Sequence, residues 1–68
     1  MPDPVDHIQV VMAQRGLSRR DLEPLIGSRG RVAEILNRKR KLTLGMIRKI
    51  HANLEIPAAD LIADYDIS

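Results

Sequence analysis

Arg29, Arg31, Arg38, Lys39, Arg40 and Lys41 fall within residues 26–42, a stretch that holds one acid, Glu34. Side chains of this type at this density neutralise polyanions. Arginine can also read guanine, because its paired donors match O6 and N7 in the major groove. Glu34 is either an acceptor for cytosine N4 or a surface partner of Arg31 or Arg38. Gly30, between two arginines, has no side chain and permits close approach of the backbone.

Other chemistry lacks the residues it needs. The chain has no Cys, which excludes disulfides, thiolate zinc sites and a cysteine nucleophile. His7 and His51 are the two histidines, and neither has a partner set in sequence. No serine, histidine and acid arrangement suggests nucleophilic catalysis. The expectation is no enzyme activity, no cofactor and no metal.

Charge is segregated along the chain. All 11 Lys and Arg lie between Arg15 and Lys49, with only Asp21, Glu23 and Glu34 among them. The flanks carry Asp3, Asp6, Glu55, Asp60, Asp64 and Asp66 and no Lys or Arg. A basic middle between acidic ends is a directional field that attracts polyanions. The apolar runs are too short for a membrane span, and the acidic, Pro-containing N-terminus is unlike a signal peptide. A soluble, cytoplasmic protein is expected.

The elements that would position these charges are helices. Sixty-eight residues make one domain with a small core. Apolar periods are helical, and no alternating run suggests a strand. Asp3-Pro4 is a cap followed by proline at the first helical position, with Val5, Ile8, Val11 and Met12 inward and Gly16 as the stop. Ser18 and Asp21 form a variant capping box for a second helix that buries Leu22, Leu25 and Ile26 and ends at Gly27. Pro24 should distort its last turn. Ser28 caps a third helix, with Val32, Ile35 and Leu36 inward and Asn37 as a left-handed terminator. Thr43 caps a fourth helix to about Asn53, with Ile47, Ile50 and Leu54 as its main stripe and Leu44 and Met46 beside it. A fifth starts at Pro57, with Leu61, Ile62 and Tyr65 on its buried side. The tail beyond Ala63 is expected to fray.

Helices two and three, over about residues 18–37, are joined by the short turn at Gly27-Ser28, which is the helix-turn-helix arrangement. The second helix of such a motif enters the major groove by its N-terminus. Arg29, Gly30, Arg31 and Glu34 then become candidate base contacts. Arg19, Arg20, Ser28, Arg38, Lys39, Arg40, Lys41 and Thr43 become candidate phosphate contacts. Arg19 and Arg20 oppose the helix dipole at the start of helix two, a local cost that argues for an anionic partner. Asn37 reads as a helix terminator rather than an adenine reader. The rival reading is a protein-interaction module whose basic face binds an acidic protein.

The chain resembles the lambda-repressor-like, or XRE-type, helix-turn-helix domain over residues 5 to about 62. The match lies in Ser18-Arg19, Ile26-Gly27, the helix from Ser28, Asn37-Arg38-Lys39-Arg40 and Leu42-Thr43-Leu44. The segment "RGLSRRDLEPLIGSRGRVAEILNRKRKLTLGMIRKIHANLEIPAADLI" is similar to the C-terminal domain of HigA-type antitoxins. It departs from the XRE pattern in a shorter turn, in Pro24, in Arg38 where glycine is common and in Leu36 where a polar residue is common. The resemblance implies an all-α, five-helix lambda-repressor-like domain that represses its own toxin–antitoxin operon. It further implies a dimer on a palindromic operator and a complex with a HigB-type ribonuclease toxin.

Leu54, Ile56, Leu61, Tyr65 and Ile67 exceed what one short helix needs for packing. The first four are the expected dimer interface. A two-fold dimer would set two recognition helices about 34 Å apart on an inverted repeat.

Overall fold

The computed structural model describes residues 2–68, which form α1 (Pro4–Arg15), a 3-10 turn (Arg19–Leu22), α2 (Glu23–Ile26), α3 (Arg29–Leu36), α4 (Leu44–Leu54) and α5 (Ala58–Ile62). The five α-helices agree with the all-helical expectation, and no strand occurs among the described residues. α2 packs on α4, α1 and α4 both pack on α5, and α3 lies against the 3-10 turn, α2 and α1. The radius of gyration is 10.6 Å. No described helix is long and apolar enough to cross a membrane.

Each helix contributes apolar residues at helical spacing to one cluster. Val5 and Ile8 come from α1, Leu22, Leu25 and Ile26 from the 3-10 turn and α2, and Val32, Ile35 and Leu36 from α3. Met46, Ile50 and Leu54 of α4, then Ile56, Leu61 and Tyr65, close it. Two expectations need correction here. Met46 takes the central place expected of Ile47, which is only half-buried, and Leu44 is exposed. On α5, Leu61 is inward, but Ile62 is 65% exposed.

The helix starts follow local chemistry. Asp3 accepts from the Asp6 amide at 2.9 Å, and Asp6 accepts from the Asp3 amide at 3.0 Å, a reciprocal capping box built from two aspartates. Ser28 and Thr43 accept from the amides of Arg31 and Met46, each at 3.2 Å. At Ser18 the expected box with Asp21 forms, and the Asp21 carboxylate accepts from the Ser18 amide at 2.8 Å and from its hydroxyl at 3.2 Å. The expected second helix is divided. Pro24 has no amide hydrogen to give to residue 20, so the backbone runs as a 3-10 turn up to Leu22 and becomes α-helical at Glu23. Pro24 then occupies the opening of α2, where a missing N–H costs little.

Asn37 does not take the left-handed conformation expected of it. Its φ is −92°, and Arg38 holds the left-handed position at φ 56°. The Arg38 amide donates to Ile35 O at 3.1 Å and the Lys39 amide to Glu34 O at 2.8 Å. This is a Schellman closure with arginine where glycine is usual.

The C-terminal end also differs from expectation. The tail beyond Ala63 folds back onto the loop after α3 instead of fraying. Tyr65 is buried; its hydroxyl donates to Arg40 O at 2.8 Å and accepts from the Leu42 amide at 2.9 Å. The Ser68 amide donates to Arg38 O at 2.8 Å. Most of the surplus of apolar residues in this region is thereby packed within the chain, although Ile67 stays exposed. Leu54, Ile56, Leu61 and Tyr65 are all buried within one chain. They pack in the core of one chain, which leaves little of their surface for the dimer contact expected of them.

Candidate nucleic-acid interface

Gly27 ends α2 at φ 133°, a backbone region that L-residues rarely adopt, and so makes the tight turn into α3. The aliphatic stem of Arg31 lies over it: a Cβ on Gly27 would stand 3.6 Å from Arg31 Cδ. Ser28 then caps α3 and leaves Arg29, Gly30 and Arg31 exposed in its first turn. A Cβ on Gly30 would meet only Ser28 Oγ, at 4.0 Å. The fold therefore does not require glycine at 30, although glycine inside a helix costs stability.

Arg29 and Ala33 are four residues apart and share one face of α3. That face looks onto the 3-10 turn, which carries Arg19 and Arg20. Between the two elements lies a concavity of about 410 Å³, lined by Arg19, Arg20, Glu23, Arg29, Val32 and Ala33. Three guanidinium groups and one carboxylate share this lining with the apolar Val32 and Ala33. None of Arg19, Arg20, Arg29 and Arg31 forms an ion pair among the described residues, where six such pairs occur elsewhere.

The basic run after α3 is arranged differently. Arg38 is held by the N-terminal aspartates: Nε donates to Asp3 Oδ2 at 2.8 Å, and Nη2 donates to Asp3 Oδ1 at 3.0 Å and Asp6 Oδ1 at 2.9 Å. The Arg38 hydrogen bond holds the Asp3 carboxyl down at about 2, and the same contact raises Arg38. Arg40 donates to Glu34 Oε1 at 3.3 Å. Lys41 pairs with Asp64, which raises the lysine and lowers the aspartate. Lys39 lies 3.3 Å from Ser68 O and has no carboxylate partner among the described residues.

Of the twelve residues read from sequence as nucleic-acid contacts, ten fall into two groups. Arg19, Arg20, Arg29, Gly30 and Arg31 stand free on the 3-10 turn and the first turn of α3, with Ser28 capping beneath them. Arg38, Arg40 and Lys41 are engaged with acids brought in from elsewhere, and Glu34 pairs with Arg40 rather than with Arg31 or Arg38. Lys39 is exposed, and the Thr43 hydroxyl is occupied as a cap acceptor. Sequence reasoning missed Glu23 and Ala33 as neighbours of the arginines. The four-residue spacing from Arg29 to Ala33 was the available signal. It also passed over Arg48 and Lys49, two exposed cations of α4 without ion pairs among the described residues.

Compared with protein-family models, with curated proteins and with solved structures, the chain finds no match.

Proposed function

We propose that this chain is a sequence-specific DNA-binding repressor built as a lambda-repressor-like helix-turn-helix domain. On this reading the 3-10 turn with α2 is the first helix of the motif and α3 is the recognition helix. The observation that carries the reading is the group Arg19, Arg20, Arg29 and Arg31. Four exposed guanidiniums on adjoining elements form no ion pair among the described residues, and the one acid that shares their concavity, Glu23, leaves a net positive charge that a polyanion would neutralise. The same chain pairs other cations with its own acids, so the free group is not a shortage of carboxylates.

In this account Arg19 and Arg20 contact phosphates, and Arg29 and Arg31 enter the major groove and read guanine. Gly30 lets the backbone of α3 approach the duplex. Lys39 adds a phosphate contact. The operator is an inverted repeat bound by two copies, and the resemblance to HigA-type antitoxins makes a HigB-type ribonuclease the protein partner and the chain's own operon its target. Val10 on α1 and Ile62 on α5 are exposed apolar residues available for pairing of copies.

Selection from a random duplex library tests this reading. An enriched inverted repeat with half-sites about one helical turn apart supports it. Salt-sensitive binding without an enriched motif leaves only a basic surface, and no binding favours a protein partner.

A further inference from the structure

The concavity between the 3-10 turn and α3 has a feature that phosphate binding alone does not use. It is lined by Arg19, Arg20, Arg29 and Glu23, but also by the apolar Val32 and Ala33. A site for phosphate alone has no use for an apolar lining. Here Val32 is 1% exposed and committed to the core, whereas Ala33 is half-buried and keeps part of its side chain open. Ala33 stands one turn along the same face from Arg29, the residue assigned to guanine. Apolar groups in the major groove recognise the C5 methyl of thymine, the one apolar handle among the base edges there.

We infer that Ala33 is a specificity-determining residue that reads thymine by methyl contact, beside the phosphate contacts of Arg19 and Arg20. The inference rests on the DNA-binding reading above and adds to it the identity of one base. Arg29 supplies directional hydrogen bonds to guanine. Ala33 supplies a dry surface that a thymine methyl covers and a cytosine or uracil edge does not. The ligand of the concavity is thus a thymidine unit of duplex DNA beside a guanine contact.

The test uses the unaltered chain and a chemically altered duplex, so it does not depend on a variant folding. In the duplex selected from the library, each thymine is replaced singly by deoxyuridine, which removes one methyl and no hydrogen bond. At one thymine per half-site, affinity should fall about fourfold, the value of burying one methyl-sized group. The Ala33→Ser chain, checked for unchanged helicity, should bind thymine and deoxyuridine duplexes alike while still discriminating at the guanine. The inference is overturned if no thymine is shared by the selected half-sites, if every deoxyuridine replacement leaves affinity unchanged, or if Ala33→Ser retains the methyl preference. A chain that binds no duplex at all overturns the DNA-binding reading itself, a result distinct from sequence-specific binding without methyl dependence.

Discussion

Arg38 grips Asp3 through two parallel hydrogen bonds, at 2.8 and 3.0 Å, and ties the start of α1 to the loop that follows α3. The contact spans 35 residues. It joins an acidic capping box to an arginine whose backbone sits in the left-handed region. A non-glycine residue there costs about 1–2 kcal/mol, so the ion pair and the local strain oppose each other at a single position. Arg38→Ala should lower the urea midpoint, because the pair is lost and the strain kept. Arg38→Gly should unfold at a higher urea concentration than Arg38→Ala, since it relieves the strain. Equal midpoints for the two variants would remove strain from the account.

The same pair sets an acid limit. Asp3 is held at about 2 by Arg38, below the ordinary value of 3.8, so the unfolded chain binds a proton more readily than the folded one. The stabilisation is therefore fully present above the ordinary carboxylate range and is lost as pH falls from about 4 towards 2. Urea midpoints measured down this range should drop in the wild type. In Asp3→Asn the part of that drop owed to Asp3 should disappear.

Tyr65 fastens the tail to the same loop through its two hydrogen bonds, to Arg40 O and from the Leu42 amide. Tyr65→Phe keeps the ring and removes both. The expected cost is about 1–2 kcal/mol in equilibrium unfolding, near that of a lost hydrogen bond with a buried partner left unpaired.

These contacts show where the sequence could be read and where it could not. Asp3, Gly16, Ser28 and Thr43 were legible as caps and stops because their chemistry acts within four residues. Leu22, Val32, Ile35 and Ile50 were legible as core from helical period. The pairing of Arg38 with Asp3 was not, because nothing local links residues so far apart. The segregated charge was read correctly as composition, but folding carries Asp3, Asp6 and Asp64 back onto the basic run. Tyr65 and Leu61 looked like spare apolar surface because their partners lie in distant elements. At the candidate interface the arginines of α3 were legible, whereas the concavity they form with Arg19 and Arg20 depends on how the 3-10 turn meets α3.

Gly30 separates folding from binding. A Cβ there makes only an ordinary contact with Ser28 Oγ, at 4.0 Å, so Gly30→Ala should stabilise α3 by about 0.5–1 kcal/mol through helix propensity. On the proposed reading the added methyl stands between the helix backbone and the duplex, so the same variant should bind the selected DNA more weakly. Thermal unfolding and duplex titration of this one variant should therefore move in opposite directions. A variant that is more stable and binds equally well would remove Gly30 from the interface.

The central claim is that the free arginines, and not the paired run after α3, face the DNA. Titration of the selected duplex at two salt concentrations tests it, comparing the wild type with Arg29→Ala, Arg19→Ala and Lys41→Ala. Arg29→Ala should lose about 1–3 kcal/mol at the preferred site and relax its sequence. Arg19→Ala should weaken all duplexes alike and reduce the salt slope by about one. Lys41→Ala, whose charge is already met by Asp64, should change the slope least. If Lys41→Ala flattens the salt dependence while Arg19→Ala and Arg29→Ala bind as the wild type does, the duplex lies on the other face and the assignment of the interface is wrong.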